Sequence, residues 1–188
     1  MKSAGKDDAE IIRAITQRDP DGLSAAYDQY ASLAYSLFLR ITHDRSVSED
    51  LLQELFIRVW NRGREFDPQK GVLGVWIVSI ARNMAIDYVR SAQARFNTRL
   101  RPIDGVNPIS LLRHGPQTES LLDAKRSIST AFANLTENEK RVLELAYFEG
   151  CSQSEIAERL HEPLGTVKSW ARSGLGRLRS ILKMGAVR

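Results

Sequence analysis

The last periodic helix of the chain, which starts near Leu164, combines hydroxyl groups and long cations on one face. From Leu164 to Arg188 there are six basic residues and no acid. Lysine, arginine and hydroxyl side chains reach phosphates and base edges in the major groove of duplex DNA. A first helical turn also offers free N–H groups, and a glycine there lets a phosphate approach closely. This face is therefore a candidate DNA contact, made of Gly165, Thr166, Lys168, Ser169, Arg172 and Ser173.

A second basic segment runs from Arg82 to Arg101, with five arginines against one acid. Two basic segments separated by neutral or acidic sequence indicate two contacts with a polyanion. Charge alone does not decide the matter, because a basic helix face is often simply solvated. In the same segment Asp87 and Arg90 fit a local i,i+3 ion pair, whereas Arg82 and Asn83 have no such evident local role.

A mixed acidic and apolar face is predicted on a helix over residues 48–63. Leu51, Leu55 and Val59 can pack inward on one side of this helix. Acidic residues together with Ile and Trp on another side are unusual for a solvated face and suit a protein partner. The alternative is a helix buried on both sides. The candidate partner-binding residues are Asp50, Gln53, Glu54, Ile57 and Trp60.

The elements that position these side chains are helices, because helical periodicity dominates and no alternating strand pattern appears. The predicted fold class is all-α. The expected helices of the first half, which close a small bundle, are 8–18, 22–42, 48–63 and 73–94. Its apolar stripes consist of Leu23, Tyr27, Tyr30, Ala34, Leu37, Phe38 and Ile41, and of Ile77, Ile80, Ala81, Met84 and Tyr88.

Three capping boxes, in which a hydroxyl residue is followed three residues later by Glu, begin at Ser46, Thr136 and Ser152 and predict helix starts. A helix starting after Ser152 is short and ends in a tight turn at residues 161–163. A longer basic helix follows, which is the helix-turn-helix pattern. A helical hairpin that does not bind DNA is the alternative. The residues expected to face the core of the last helix are Val167, Ala171, Leu175, Leu178 and Leu182, with Trp170 packing beside them.

Glycine and proline scattered through polar sequence predict a linker over residues 95–122. The predicted organisation is therefore two small helical domains, 1–94 and 123–188, joined by this linker. As flexible coil such a linker has an end-to-end distance of roughly 30 Å.

The C-terminal segment resembles region 4 of the sigma-70 family, especially the small extracytoplasmic-function group (group IV). The resemblance rests on residues 143–147, 154–157 and 163–169. It implies a helix-turn-helix that binds the −35 element, with Lys168, Ser169 and Arg172 as the main groove contacts. Trp170 and Gly174 depart from the basic or bulky residues common there, so the promoter sequence is left open.

The N-terminal half resembles region 2 of the same family. Residues 50–54 are similar to region 2.2, which clasps the coiled coil of the RNA polymerase clamp, and residues 80–87 to regions 2.3 and 2.4. The resemblance implies melting of the −10 element and capture of a flipped base. Residues implied in base capture are Asn83 and the loop Lys70, Gly71, Val72 and Leu73, and those in backbone contacts are Arg82, Arg90 and Arg95.

Region 3 is absent and the predicted linker takes its place. The implied function is a promoter-specificity subunit that binds core RNA polymerase through the clamp coiled coil and the flap. An anti-sigma factor is the implied regulator. Two rival hypotheses are a sigma-like decoy that occupies an anti-sigma factor without binding DNA, and a stand-alone helix-turn-helix repressor. The decoy would need neither the basic helix nor the pair Arg82 and Asn83, and the repressor would not need the acidic face.

Composition excludes several other classes. The N-terminus has no apolar signal segment and no stretch approaches a membrane span, so we expect a cytoplasmic protein without membrane insertion. Cys151 stands alone, which excludes an internal disulfide and a multi-cysteine metal site. Gly71 and Gly74 are too sparse for a phosphate-binding motif. With three scattered histidines and no nucleophile motif, neither an enzyme nor a cofactor or metal is expected.

Overall fold

The computed structural model describes residues 7–96 and 132–185, with side chains over 7–92 and 132–180. These residues form two compact units, which are described separately below. Both described ranges are helical and contain no strand, which confirms the all-α prediction. Most of the predicted linker, from residue 97 to residue 122, lies outside the described residues, so the predicted domain boundaries stay predictions.

The N-terminal unit is a bundle of four helices with a short 3-10 turn at Gly63–Glu65. Helix α2 packs against each of the other three and so forms the centre of the bundle. The predicted helices are confirmed, and every bound lies within three residues of the expected one. The helices are α1 (Asp8–Thr16), α2 (Pro20–Thr42), α3 (Arg45–Arg62) and α4 (Leu73–Phe96).

The core of this unit joins apolar residues from all four helices. Burial of such side chains is the main favourable contribution to folding, at roughly 1.5–3 kcal/mol for each large one. Completely or almost completely buried are Ile11, Ile15, Ala26, Ala34, Phe38, Leu55, Val59, Leu73, Ile77 and Ala81. Tyr27 and Tyr88, predicted for the same core stripes, are instead partly exposed. Both lie at the edge of a stripe, where a ring can pack and its hydroxyl can stay in water, and Tyr27 still contacts Phe56.

The start of α3 differs from the prediction. Asp44, and not Ser46, is the N-cap, because the carboxylate oxygen of Asp44 accepts from the backbone N–H of Val47 at 3.1 Å. Glu49, the expected partner of Ser46, pairs with the guanidinium of Arg45 instead. An aspartate caps a helix as well as a serine does, so two overlapping start signals were present and the earlier one is used.

The C-terminal unit contains α5 (Glu137–Phe148), α6 (Gln153–Leu160) and α7 (Leu164–Gly185). The capping boxes at Thr136 and Ser152 are confirmed, with both reciprocal hydrogen bonds present in each. Gly150 follows α5 with φ 68° and His161 ends α6 with φ 54°. These left-handed residues reverse the chain and bring the three helices together.

The core of this unit is built from Val142, Leu145, Ile156, Val167 and Ala171, with Leu160 and Trp170 packed against it. The packing predicted for Trp170 is therefore confirmed. Leu175 was wrongly predicted to face the core, since it is 58% exposed. The buried position is Gly174, three residues after Ala171, where α7 lies so close to α5 that a Cβ would stand 2.9 Å from Cδ1 of Leu143. The side chain of Leu182 lies outside the described residues.

None of the helices in the described ranges combines the length and apolar character that a membrane span requires.

Candidate functional site

The first two turns of α7 present the predicted cationic face. Lys168, Ser169 and Arg172 are exposed, opposite the buried Val167 and Ala171. No described residue forms an ion pair with Lys168 or Arg172. Their charge is therefore not neutralised by a neighbouring carboxylate, and it is available to an anionic ligand.

The N-terminal end of this face is open. Gly165 is exposed, and a Cβ built there would have no neighbour within 4 Å, so packing does not explain the glycine. Thr166 is half-buried, and its N–H donates to the carbonyl of Pro163 at 2.9 Å. Space next to a helix N-terminus suits a phosphate.

Ser173 differs from Lys168, Ser169 and Arg172 because its side chain is bonded to another helix of the unit. Its hydroxyl donates to Oε1 of Glu139 on α5 at 2.6 Å. This bond engages the hydroxyl within the protein although Ser173 itself is exposed, and its assignment as a DNA contact stays a prediction.

In the N-terminal unit, Asn83 and Arg90 are exposed on α4, while Arg82 is half-buried. Nη1 of Arg82 donates to Oδ1 of Asn83 at 3.4 Å, so the two predicted contact residues lie side by side. The amide of Asn83 keeps donors and acceptors that could read the edge of a base. The side chain of Arg95, the last predicted contact, lies outside the described residues.

The loop before α4 is organised by Asp67. Its side chain accepts from the N–H of Gln69 at 2.9 Å, its carbonyl accepts from the N–H of Lys70 at 3.0 Å, and its carboxylate pairs with Nζ of Lys70 at 3.2 Å. These contacts form an Asx turn, which favours a bend of the chain at this point. Lys70, Gly71 and Val72 are exposed.

Leu73, the fourth predicted loop contact, is corrected by the structure. It is 1% exposed and belongs to the core of the bundle, so its side chain cannot reach a nucleic acid. Gly74 also serves packing, since a Cβ there would lie 2.8 Å from Cε1 of Tyr30. The close approach of α2 and α4 therefore explains this glycine in the first turn of α4.

Val75 is a candidate contact that the sequence reasoning did not select. It is 65% exposed and stands one residue after Gly74, close to the exposed Val72. Val75 and Arg82 are seven residues apart and therefore share one face of α4. An apolar residue on an otherwise polar helix face was the signal that could have revealed it.

The predicted partner face of α3 lies on the surface. Asp50, Gln53, Glu54 and Ile57 are exposed, which excludes the alternative of a helix buried on both sides. Oε1 of Glu54 pairs with the guanidinium of Arg58 at 2.6 Å. Acidic groups thus precede apolar groups along one side of the helix.

Trp60, at the end of this face, is half-buried under a residue that sequence reasoning missed. Nη1 of Arg18 donates to the carbonyl oxygen of Trp60 at 3.1 Å, and the guanidinium carbon lies 5.2 Å from the centre of its ring. The two residues are 42 positions apart, so no local pattern indicates the contact. Arg18 therefore binds the backbone of Trp60 by a hydrogen bond and its indole by a cation–π interaction.

Cys151 is half-buried in the C-terminal unit, and burial raises the pKa of its thiol. A raised pKa keeps the group as a thiol near neutral pH, the less reactive form. Within the described parts of the chain, no group of three His, Cys, Asp or Glu residues could hold a metal ion.

The sequences of both units match models of known protein families. Residues 26–95 match "Sigma-70 region 2" and residues 131–180 match "Sigma-70, region 4". Helix α1 precedes the first match, which begins inside α2.

Similar curated proteins span nearly the whole chain. ECF RNA polymerase sigma factor SigK of Mycobacterium sp. (strain KMS) is 30% identical over 175 residues, covering 93% of this chain and 90% of SigK. SigK of Mycobacterium tuberculosis (strain CDC 1551 / Oshkosh) is 31% identical over 173 residues, covering 92% of this chain and 91% of its own.

Solved structures are also similar. Rhodobacter sphaeroides SigE in complex with the anti-sigma ChrR is 25% identical, with a TM-score of 0.49, covering 95% of this chain and 99% of SigE. CnrH in complex with the cytosolic domain of CnrY is 16% identical, with a TM-score of 0.41. The match covers 94% of this chain and 97% of CnrH.

Proposed function

Because this chain belongs to the extracytoplasmic-function group of the sigma-70 family, we propose that its two helical units read one promoter at two separate sites. A sigma factor binds core RNA polymerase and directs it to promoter DNA. The observation that carries the proposal is the exposed face of α7, where Lys168, Ser169 and Arg172 lie opposite a packed core and no described carboxylate neutralises the two cations.

Helix α7 enters the major groove of the −35 element. Lys168 and Arg172 bind phosphates or guanine edges, and Ser169 contributes a hydroxyl. The open backbone at Gly165 binds a phosphate at the N-terminus of the helix, and Thr166 contributes its hydroxyl group. Three convergent polar side chains on a helix anchored by Val167 and Ala171 support this assignment.

Helix α4 and the loop before it open the −10 element. Unstacking a base costs a few kcal/mol, which a fitted pocket with an amide to read the base edge can offset. Asn83 supplies the amide, while Lys70, Gly71 and Val72 form the loop side of the pocket. Arg82, Arg90 and Arg95 contact the backbone of the separated strand. The exposed side chains of the loop and the Asx turn at Asp67 support this assignment.

The exposed side of α3 binds the coiled coil of the polymerase clamp, and the C-terminal unit binds the flap. Exposed Asp50, Gln53, Glu54 and Ile57 next to a restrained Trp60 resemble an interface, with a rigid aromatic anchor in a polar surround. The holoenzyme, and not the free chain, is the form that recognises a promoter.

Each of the two rival functions leaves one of the exposed faces without a role. A decoy for an anti-sigma factor needs no cationic face on α7, and a stand-alone repressor needs no acidic face on α3. We also propose that the chain has no catalytic activity of its own. Core polymerase and promoter DNA are its partners, so the cytoplasm is its place of action.

An anti-sigma factor is the proposed regulator, as expected for this group. It would hold the chain inactive by covering surfaces that core polymerase needs. Mixing the chain with core polymerase and a candidate anti-sigma protein tests this point, because a true regulator lowers the amount of holoenzyme formed.

The function is tested by run-off transcription with purified core polymerase and the chain on fragments of genomic DNA. We expect new transcripts that start at a small set of sites. The absence of any transcript beyond those of core polymerase alone would remove the proposed function.

A further inference from the structure

A buried carboxylate connects α5 to the helix that carries the cationic face. Glu139 is only 3% exposed although it is charged. Its oxygens accept from the hydroxyl of Ser173 at 2.6 Å and from the backbone N–H of Thr136 at 2.9 Å, and they form an ion pair with Nε of Arg177 at 3.3 Å. A buried carboxylate is tolerated only when its oxygens are bonded in this way.

Both side-chain partners of Glu139 lie on α7. Ser173 and Arg177 are four residues apart, one turn of the same helix. Gly174 lies between them, and a Cβ there would be 3.3 Å from Cβ of Glu139 and 2.9 Å from Cδ1 of Leu143. The two helices therefore approach closely at the point where the carboxylate binds.

The contacts of Glu139 also affect which side of α7 faces the solvent. Val167 and Ala171 hold the helix by apolar packing, which is non-directional. Hydrogen bonds to a buried carboxylate depend on distance and angle. The bonds from Glu139 therefore restrict the rotation of α7 about its axis more than the apolar contacts do. A rotation would move Lys168, Ser169 and Arg172 together.

We propose that Glu139 is a positioning residue for promoter recognition, which fixes the rotation of α7 through Ser173 and Arg177. Ser173 acts on DNA through Glu139 and does not itself touch a base or phosphate. The inference depends on the proposed binding of α7 to the −35 element. It adds a residue on α5, far from the cationic face in sequence, to the group that determines specificity.

The test measures the effect of the Ser173 hydroxyl with two variants of equal shape. Ser173→Thr keeps the hydroxyl and Ser173→Val replaces it by a methyl group. Each full-length variant is combined with core polymerase and bound to a duplex library that is randomised in the upstream promoter segment. The readouts are the enriched sequences and the ratio of affinities for enriched and random duplexes.

The difference in affinity ratio between Ser173→Thr and Ser173→Val is then measured again in two further backgrounds. Glu139→Met removes the acceptor at similar volume, and Glu139→Gln keeps a weaker, uncharged acceptor. In the native background we expect Ser173→Val to lower the affinity ratio roughly fivefold to tenfold relative to Ser173→Thr. With Glu139→Gln the difference should shrink, and with Glu139→Met it should disappear, because coupled residues are not additive.

Ser180 supplies the matched control. Ser180 also lies on α7, but its hydroxyl donates to the backbone carbonyl of Gly176 in the same helix at 3.0 Å. Ser180→Thr and Ser180→Val should therefore give equal affinity ratios. Circular dichroism of each variant at the assay temperature identifies the folded proteins, and a loss of stability alone would leave the enriched sequences unchanged.

Several outcomes would overturn the proposal. If the affinity ratios of Ser173→Thr and Ser173→Val differ in a Glu139→Gln or Glu139→Met chain as much as in the native chain, Ser173 contacts DNA directly. Equal ratios for Ser173→Thr and Ser173→Val, with the native chain binding normally, mean that the hydroxyl has no role in recognition. Should the native holoenzyme itself fail to enrich any duplex sequence, the proposed −35 function would fail as well.

Discussion

At the scale of single residues, some exposed cations of the described chain have a carboxylate partner and others do not. Arg58, for example, is held by Glu54 on the exposed side of α3. Lys168 and Arg172 have no such partner among the described residues. Their binding energy toward DNA is therefore not reduced by an ion pair that must first be broken.

Lys168→Ala and Arg172→Ala should each weaken binding of the holoenzyme to the upstream promoter segment. A lost phosphate contact lowers the dependence of log affinity on log salt by about 1, and a lost base contact costs about 1–3 kcal/mol and relaxes the preference at one base pair. Footprinting across a salt series measures both effects. Lys140→Ala is the control, because Lys140 pairs with Glu137 on α5; footprints equal to those of the native chain would count against the assignment.

Asn83→Ala should slow strand opening and leave the closed complex intact. The amide acts only after a base has left the stack, so its removal affects the open state by a loss of roughly 1–3 kcal/mol. Permanganate reactivity of unpaired thymines, followed over time, measures opening. Asn138→Ala, an exposed asparagine of the other unit, should open DNA at the native rate. Native opening by Asn83→Ala would contradict the proposed role.

Glu139 predicts a pH dependence of the C-terminal unit. Hydrogen bonds from Ser173 and Thr136, together with Arg177, hold the pKa of its carboxyl below the ordinary value. A group with a lowered pKa in the folded state stabilises above its unfolded pKa, and this stability is lost as the pH falls through its folded pKa. Amide hydrogen exchange of α5 and α7 in a series of acidic pH values should therefore show steeper acid destabilisation in the native chain than in Glu139→Gln. Equal slopes would contradict this prediction.

At the scale of elements, the sequence predicts helices well because their signals are local. Periodicity and the capping boxes at Thr136 and Ser152 are set by residues within one or two turns. The same signals fail where two alternatives compete, as Asp44 does with Ser46, and they do not decide between neighbouring positions such as Gly174 and Leu175. Which of these two is buried depends on how closely α5 approaches α7.

The candidate site is predictable to a similar extent. Exposure of the α3 face and of Lys168, Ser169 and Arg172 follows from periodicity. The burial of Leu73 and the bond between Ser173 and Glu139 do not, because both depend on contacts between distant segments. Arg18 over Trp60 is another contact of this kind.

The α3 face predicts the strength of polymerase association. Asp50→Ala and Glu54→Ala should each reduce the amount of core polymerase that co-purifies with the chain, since interface charges set the encounter rate and restrict the orientation of the partners. Glu49→Ala is the matched control, because Glu49 is an exposed carboxylate that pairs with an arginine one turn away, as Glu54 does, but lies outside the predicted partner face. Undiminished co-purification of both variants would exclude this surface as the polymerase contact.

At the scale of the whole molecule, the account requires two contacts that act together. We expect each unit to bind its DNA segment weakly by itself. Covalent connection of two binding units raises the effective concentration of the second once the first is bound. Promoter selection then depends on both DNA segments and on the distance between them, which makes recognition more selective than either helix alone allows.

The most direct test of two-site promoter reading is simultaneous footprinting and permanganate probing of one promoter identified by run-off transcription. With the native chain and core polymerase we predict protection of an upstream duplex segment and unpaired thymines downstream on the same DNA. Insertion of about half a helical turn, roughly 5 base pairs, between the two segments should abolish the combined pattern. Strand opening that is unaffected by this insertion and by removal of the upstream segment would contradict the account.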